Sequence, residues 1–158
     1  MIGSAAHEFH CLTTAGEDTL VVSASGNYAA NLEVARSLKP VFDHGEPQPI
    51  ERVATPGQTS IEEVAQFLEL ETHQTLKAVF YWTGHSLAFV AIRGDLAVNE
   101  TKLRRLLNVP EIRLAADQEL EAAGILAGYA SPVGLNGITI VVDDSIESTT
   151  TLVAGANA

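Results

Sequence analysis

The chain has 158 residues, of which 46% are hydrophobic and 18% are charged, with a formal net charge of −11 and one cysteine, Cys11. This composition supports a folded domain with a sizeable core, and it excludes intrinsic disorder and an internal disulfide. An acidic chain is a poor free-standing nucleic-acid binder, because Lys and Arg drive phosphate contact. No apolar run reaches the roughly 20 residues of a membrane span and no signal peptide is visible, so we expect a cytoplasmic location.

The stretch HEFHC near the start of the chain offers three side chains of metal-ligand type: His7, His10 and Cys11. Their spacing is not that of a zinc-binding helix, and no second ligand pair follows. We therefore expect an ordinary strand here and no metal.

The rest of the first fifty residues holds three further patterns. A short apolar run extends from Leu20 to Val22, and helical spacing extends from Tyr28 to Leu38. The segment HGEPQP, residues 44–49, has two prolines and no apolar side chain, which is typical of a linker. We therefore predict a flanking segment over residues 1–50 and a second domain over residues 51–158.

The second part begins with a predicted helix that carries its own start signal. TSIEEVAQFLEL places apolar residues at i, i+3, i+4 and i+7, on one helical face: Ile61, Val64, Ala65 and Leu68. Ser60 followed by Glu63 is a capping-box pattern, with Thr59 and Glu62 as the alternative pair. Either pair starts the helix next to Ile61.

Strand and helix patterns then follow without a regular β-α-β rhythm. LKAVFYW and SLAFVAI flank TGH and predict a β-hairpin, and EIRLA predicts a short strand. Asp117 is positioned to cap a helix that ends at Gly124, and GITIVVDD lacks alternation, which predicts a strand buried on both faces. Asn99 is positioned to cap a helix in which three leucines face inward: Leu103, Leu106 and Leu107. These elements predict an α/β (α+β) fold, with a mixed, largely antiparallel sheet or a partly closed barrel and flanking helices.

Three features are of types that bind or react with small polar substrates. Lys77 opens an apolar strand, where a lysine either extends to solvent or projects a cation into a cleft. Asp143 and Asp144 end a strand, where a carboxylate either belongs to a solvated turn or orients a water or an amino group. GYASPVGLNG, residues 128–137, is either a connector or a pocket wall whose backbone holds a very small ligand. The adhesion tripeptide RGD at 93–95 is interpreted as incidental.

In this order and spacing, the motifs resemble the inserted editing domain of bacterial-type prolyl-tRNA synthetases and the related YbaK-like editing proteins. TPGQTSIEEVAQFL is similar to the family's entry helix, and LKAVFY to its strand with a signature lysine, which falls on Lys77. VAIRGDLAVNETKL, IVVDDSI and VAGAN are similar to later motifs, and GYASP to the G-x-x-x-P loop, with Gly128 and Pro132 at its ends. The resemblance covers nearly the whole chain, and the family carries a histidine soon after G-A-N.

The first fifty residues resemble the synthetase segment that precedes this insertion, where S-x-S-H-E-F and G-E-D lead to Y-A-A-N-x-E. The chain is therefore expected to be a piece of a larger synthetase, without the ATP-dependent site of proline activation. The partners implied are proline tRNA charged with alanine and the remainder of the synthetase chain, with no membrane, metal or cofactor.

The resemblance implies hydrolysis of alanine that has been mischarged onto proline tRNA. No Ser/His/Asp or Cys/His nucleophile set is recognisable, so direct attack by water is expected, with the ribose hydroxyl of the tRNA as an optional aid. The implied site has three parts: a methyl slot of Ile61, Val64 and Val98; a loop that holds the aminoacyl end through Gly128, Ser131 and Pro132; and a catalytic polar rim of Lys77, Asp143 and Thr55.

Two other interpretations stay open from the sequence. The first is a free-standing deacylase for another mischarged tRNA, such as cysteinyl-tRNA(Pro), which the synthetase-like first fifty residues disfavour. The second is a non-catalytic module that contacts tRNA. The acidic charge and the lack of the family's histidine in this sequence keep that interpretation open.

Overall fold

The computed structural model describes residues 9, 11–36, 38–43, 45–147, 149 and 151–157. The chain divides into two compact units, residues 1–37 and residues 38–158. The strand predicted around HEFHC lies almost entirely outside the described residues, and Cys11 is exposed. The predicted division into a flanking segment, residues 1–50, and an editing domain, residues 51–158, stays a prediction. Within the described residues, no helix combines the length and apolar character needed to cross a membrane.

The first unit contains a two-stranded antiparallel ribbon, with β1 at Leu20–Val22 and β2 at Ala29–Asn31. The helix predicted from Tyr28 to Leu38 is therefore wrong. Ala29 to Asn31 pair with β1, and the Asn31 side chain accepts a hydrogen bond from the Glu33 N–H at 2.9 Å. Ribbon pairing and this side-chain turn satisfy the backbone groups that a helix would have used.

The second unit is built on a four-stranded sheet in the order β5-β3-β4-β6. The strands are β3 at Leu76–Trp82, β4 at Leu87–Arg93, β5 at Arg113–Leu114 and β6 at Thr139–Val142. Strand β3 pairs antiparallel with β4 and with β5, whereas β4 pairs parallel with β6. The predicted mixed, largely antiparallel sheet is confirmed, and so is the predicted hairpin.

Among the described residues, four helices accompany the sheet: α1 at Ile61–Phe67, α2 at Glu100–Leu107, α3 at Asp117–Ala122 and α4 at Asp144–Glu147. A 3₁₀ turn covers Thr72–Gln74. The predicted capping box is present, because Ser60 accepts from the Glu63 N–H and the Glu63 carboxylate accepts from the Ser60 N–H. Asn99 caps α2 as predicted, accepting from the Lys102 N–H at 3.0 Å. These caps satisfy N–H groups that have no partner inside the helix.

The two faces of the sheet bury separate clusters. One cluster is centred on Phe80 and Phe89, whose rings meet edge to face at 5.1 Å, and it includes Leu120 of α3. The other consists of Tyr81, Val90 and Leu103, so α2 covers that face. Strands β3 and β4 contribute alternate side chains to the two clusters, as the period of a strand requires.

Three sequence predictions about these elements are wrong. Strand β6 is an edge strand, with Ile140 40% and Val142 54% exposed, so it is not buried on both faces. Leu106 is 68% exposed, because only Leu103 and Leu107 of α2 face the sheet. Asp117 is the first residue of α3 rather than its cap, and the preceding N–H, that of Ala116, is bound by the Glu119 carboxylate at 2.8 Å.

Candidate active site

Two of the predicted catalytic residues lie at one end of the sheet, where β3 begins and β4 and β6 end. Lys77 lies opposite Ile92 in the β3–β4 pair, and Val142 lies opposite Ala91 in the β4–β6 pair. The Asp143 N–H extends the second pairing by donating to the Ala91 carbonyl at 2.9 Å. Neighbouring strands lie about 4.8 Å apart, so the Cα atoms of Lys77 and Asp143 are separated by about 10 Å, with β4 between them.

Lys77 is partly buried, and its Nζ donates to the Leu96 carbonyl at 3.0 Å. Leu96 lies in the turn after β4, where its N–H donates to the Arg93 carbonyl at 3.0 Å. A lysine ammonium has three N–H donors. Across the part of the chain that the structure describes, Leu96 is the one partner of this ammonium, which leaves donors for an ester or phosphate oxygen.

The Asp143 carboxylate is engaged by the protein itself. Its Oδ1 accepts from the Lys39 ammonium and from the N–H of Ser145, the second residue of α4. Burial raises the pKa of Asp143, but the hydrogen bonds from Lys39 and Ser145 outweigh burial and hold this pKa below its usual value. The carboxylate is therefore ionised at neutral pH and fixed in place, while its role toward a substrate stays a prediction.

The loop of residues 128–137, called the small-residue loop below, begins against the start of α1. Gly128 has a φ of +82°, and a Cβ there would lie 3.2 Å from the Thr59 Cβ. Any other residue at position 128 would therefore strain the backbone and displace Thr59. The bare backbone at this point is required by packing, which brings the loop to the N-terminal end of α1.

Ser131, in the same loop, is only 5% exposed, and its backbone is bound to Asn157. The Ser131 N–H donates to Asn157 Oδ1 at 2.7 Å, and the Ser131 carbonyl accepts from Asn157 Nδ2 at 3.3 Å. The N–H expected to hold the aminoacyl end is thus occupied by a side chain of the protein. Pro132 follows directly and lies partly exposed beside it.

The residues predicted to form the methyl slot lie in two different surroundings. Ile61 packs at Gly94, where its Cγ2 would lie 3.0 Å from an added Cβ, and Val64 is one turn further along α1 and partly buried. Val98 instead packs against the cluster of Tyr81, Val90 and Leu103. The structure therefore associates Ile61 with the turn that holds Lys77, and Val98 with the core under α2.

Thr55, the third predicted catalytic residue, lies in the loop before α1. Its carbonyl accepts from the Gln58 N–H at 3.2 Å, which closes a turn ahead of the helix. This contact shapes the turn that leads into α1. The role of Thr55 in a catalytic polar rim stays a prediction.

Two cations at this end of the sheet were missed by sequence reasoning. Arg93 is 1% exposed and binds Asp95 through two hydrogen bonds, of 2.6 and 3.0 Å, while its third nitrogen donates to the Pro40 carbonyl at 2.7 Å. Its guanidinium lies 4.7 Å from the centre of the Phe42 ring. The hydrogen bonds from Arg93 lower the pKa of Asp95. An arginine in an apolar strand with an aspartate two residues later is the signal that would have predicted this pair.

Lys39 is the other missed cation. It binds both Asp143 and Asp144, which are more than a hundred residues later in the chain. No local pattern in the sequence marks such a contact.

No cluster of three or more metal-ligand side chains occurs among the described residues, which do not include His7 and His10. The polar groups near the sheet end are instead a lysine, an ion-paired aspartate and backbone amides. The lysine ammonium and amide N–H groups are donors of the kind that bind anionic or carbonyl oxygens and can stabilise negative charge that develops during ester hydrolysis, whereas the aspartate can only accept hydrogen bonds.

Residues 55–158 match the family described as the aminoacyl-tRNA editing domain. The chain belongs to this family. The match includes every predicted site residue and the small-residue loop, and the resemblance to editing domains predicted from the sequence is confirmed. Lys39 and the first unit lie outside the matched range.

Relatives of this editing domain match nearly the whole length of the present chain. It is 49% identical over 155 residues to the proline–tRNA ligase of Dehalococcoides mccartyi (strain ATCC BAA-2266), a match that covers 98% of this chain and 27% of the relative. The proline–tRNA ligase of Salinispora tropica is 39% identical over 166 residues, with 99% of this chain and 28% of the relative covered. The chain thus spans about a quarter of the length of these relatives.

Solved structures with a similar fold include that of the hypothetical protein APE2540, with a TM-score of 0.58 and 26% identity over 63% of this chain and 68% of that chain. A candidate trans-editing enzyme for prolyl tRNA synthetase superposes with a TM-score of 0.51 and 21% identity, over 58% of this chain and 59% of that chain. The second likeness concerns the fold alone. Together they support the predicted editing-domain type of fold.

Proposed function

We propose that this editing domain belongs to a proline–tRNA ligase and hydrolyses alanine from mischarged proline tRNA. The observation that carries the proposal is the extent of the matches. The editing family covers residues 55–158, and proline–tRNA ligases match 98% of the chain, including the segment before the editing domain. A free-standing deacylase would have no need of that segment.

The chemistry of the two amino acids supplies the reason for such an activity. Alanine is smaller than proline, so a synthetic pocket built for proline cannot exclude alanine sterically, and lost contacts give only about 1–3 kcal/mol of discrimination. A second pocket that admits alanine and rejects proline supplies the remaining selectivity. The surroundings of Gly128 support this assignment, because the backbone of the small-residue loop packs directly against Thr59, just before α1.

In the proposed reaction, water attacks the carbonyl carbon of the ester that joins alanine to the terminal ribose. The resulting oxyanion collapses, the bond from the carbonyl carbon to the ribose oxygen breaks, and that oxygen takes a proton. The products are alanine and uncharged tRNA. Lys77 would stabilise the oxyanion or a neighbouring phosphate, since Nζ is held at the sheet end by Leu96 with donors remaining.

The other predicted residues would shape the pocket. Ile61 and Val64 on α1 would limit its depth, and the small-residue loop would limit its width. Asp143 would act from its fixed position beside Lys39, holding a water or the substrate's amino group through its partly exposed carboxylate. No step requires a metal or a cofactor.

Single-turnover deacylation tests the proposal directly. The chain is mixed in excess with proline tRNA that carries alanine, proline or cysteine, and the remaining ester is followed over time. We expect fast loss of alanine, with prolyl-tRNA and cysteinyl-tRNA decaying at the rate without protein. Preferred loss of cysteine would indicate a deacylase of another specificity. No acceleration on any ester would indicate a non-catalytic module and would overturn the proposal.

A further inference from the structure

Asn157 forms four hydrogen bonds with the small-residue loop. Its backbone N–H donates to the Tyr129 carbonyl at 2.8 Å, and its Oδ1 accepts from the Ser131 N–H at 2.7 Å. Its Nδ2 donates to the Ser131 carbonyl at 3.3 Å and to the Val133 carbonyl at 2.7 Å. One side-chain amide thus binds the backbone on both sides of Pro132, where the loop turns.

The segment that carries Asn157 is also attached to the start of β3. The Val153 N–H donates to the Gln74 carbonyl at 2.9 Å, and the Leu76 N–H donates to the Val153 carbonyl at 2.8 Å. Leu76 directly precedes Lys77. Residues 153–157 therefore connect the small-residue loop to the strand that carries the predicted catalytic lysine.

Close packing leaves this connection little freedom. A Cβ at Gly155 would lie 2.4 Å from the carbonyl oxygens of both Tyr129 and Ala130, so the segment lies directly against the loop backbone. Asn157 itself has a φ of +56°, a left-handed conformation that asparagine tolerates better than most residues. The backbone thus presents the amide to the loop in one orientation.

The later part of the loop, residues 134–136, borders a cleft next to Asn157. This cleft has a volume of about 230 Å³ and is lined by two asparagines, Asn136 and Asn157, and by small or apolar residues: Ala123, Gly124, Ile125, Leu126, Gly134, Leu135 and Ile138. A water occupies about 30 Å³, so this cleft leaves room for the loop to shift. Close packing is therefore incomplete beside residues 134–136, and the hydrogen bonds of Asn157 add a restraint on the loop next to this cleft.

We propose that Asn157 is a positioning residue of the editing site, which sets the distance between the small-residue loop and Lys77 and thereby the size of the amino acid that fits. The effect on selectivity rests on the proposed function. The restraint of the loop by Asn157 does not. Asn157 acts through the backbone of Ser131 and Val133 and does not itself react.

Three variants test this role. Asn157→Gly removes the amide and keeps the left-handed backbone without strain. Asn157→Asp keeps an acceptor for the Ser131 N–H but turns a carboxylate toward the two carbonyls that Nδ2 now binds. Asn108→Gly is the matched control, because Asn108 also has a left-handed φ, of +54°, and ends α2 away from the loop.

Two measurements are made on each variant. Amide hydrogen exchange reports protection of the Ser131 N–H, which we expect to fall roughly tenfold in Asn157→Gly, as for the loss of one hydrogen bond. Single-turnover deacylation of alanyl-tRNA(Pro) and prolyl-tRNA(Pro) reports selectivity, and the alanine-to-proline rate ratio should fall at least about tenfold in both Asn157 variants. Asn108→Gly should change neither quantity.

The outcomes separate the proposal from the function on which it rests. Unchanged Ser131 protection in Asn157→Gly overturns the proposal, whether or not the parent chain is active. Lost protection with an unchanged rate ratio also overturns it, since the loop would then be ordered without effect on selectivity. If the parent chain is inactive on every ester, the proposed function fails, and Ser131 protection alone decides whether Asn157 restrains the loop.

Discussion

Two lysines near one end of the sheet differ in what surrounds them. Lys39 is bound to Asp143 and Asp144, and its charge is balanced within the protein. Lys77 contacts a backbone carbonyl, that of Leu96, and its charge is not balanced by this contact. A balanced cation stabilises the fold, whereas an unbalanced cation held in place can stabilise charge that develops in a substrate.

We expect Lys77→Ala to abolish deacylation of alanyl-tRNA(Pro) while the fold survives. The substitution removes one hydrogen bond to the turn after β4 but no part of either core cluster. Lys77→Arg should fail to restore the rate, because a guanidinium is larger and planar and places its donors elsewhere. Single-turnover rates measure the effect, and circular dichroism monitors folding.

Arg36→Ala serves as the control for loss of one positive charge, since Arg36 is exposed in the first unit, outside the matched editing range. It should leave the single-turnover rate, measured with the protein in excess, within about twofold of the parent. A Lys77→Ala rate close to that of an active parent chain would show that Lys77 is only a strand-end lysine.

The ion pair of Asp143 makes stability depend on pH. Because the folded pKa of Asp143 lies below its usual value, its contribution is present above the unfolded pKa, which is about 3.9. That contribution is lost as the pH falls through the folded pKa. We expect Asp143→Asn to lower the free energy of unfolding by about 1 kcal/mol at pH 7, the usual size for a partly exposed pair with a helix-start hydrogen bond.

Urea unfolding at pH 7 and at pH 3 measures this dependence. The difference in unfolding free energy between parent and Asp143→Asn should shrink at pH 3, which lies below the unfolded pKa, because protonation of Asp143 in the unfolded chain then offsets part of the contribution. For Lys39, burial lowers the pKa, but the bonds to Asp143 and Asp144 outweigh it and raise the pKa, so its contribution persists at pH 7 and is lost only as the pH rises through the folded value. If the difference in unfolding free energy between parent and Asp143→Asn stays constant from pH 7 to pH 3, the ion pair of Asp143 with Lys39 is contradicted.

At the level of helices and strands, the elements predicted correctly carry their signals locally. The capping box lies within four consecutive residues, and the β3–β4 hairpin follows from two apolar runs around a short turn. The predictions that fail depend on distant partners. Whether β6 is an edge strand depends on which strands flank β4, and the helix predicted from Tyr28 to Leu38 is displaced by pairing with Leu20–Val22.

The candidate site shows the same division. The need for bare backbone in the small-residue loop follows from its glycines, and the structure gives its cause at Gly128, the contact with Thr59. The restraint by Asn157 could not be predicted, because its amide meets Ser131 from 26 residues away. The same holds for Lys39, whose partners are 104 and 105 residues away.

Gly94 allows a prediction about the hairpin itself. A Cβ at this position would lie 2.0 Å from the Thr75 Oγ1 and 2.5 Å from the Thr72 carbonyl oxygen. Thr75 is 1% exposed and cannot move aside without moving the backbone. We expect Gly94→Ala to lower the free energy of unfolding by about 3 kcal/mol, the upper range for overpacking, as measured by urea unfolding.

Gly84→Ala, in the turn at the other end of the hairpin, is the comparison. Gly84 has a φ of +92° with nothing within 4 Å of an added Cβ, so only backbone strain of about 1 kcal/mol is expected. Equal losses of unfolding free energy in the two variants would show that the residues around Gly94 move aside at little cost.

For the whole molecule, the distribution of charge decides how tRNA can be held. The chain has 9 basic and 20 acidic residues, and Lys39, Arg93 and Arg113 are ion-paired with carboxylates of the same chain. A concentration of exposed cations lies on one helix, α2: Lys102, Arg104 and Arg105. The chain can neutralise few tRNA phosphates at once, and we expect those phosphates to contact α2.

We therefore expect weak tRNA binding that depends on α2. Because each neutralised phosphate contributes about 0.7 to 0.9 to the slope of log affinity against log salt, Arg104→Gln with Arg105→Gln should reduce that slope by about 1.4 to 1.8. Filter binding of proline tRNA across salt concentrations measures it. Arg113→Gln is the control, because Arg113 already binds Glu119, through bonds of 2.8 and 2.6 Å. Submicromolar binding by the parent at physiological salt, or an unchanged slope in the double variant, would show that another surface holds the tRNA.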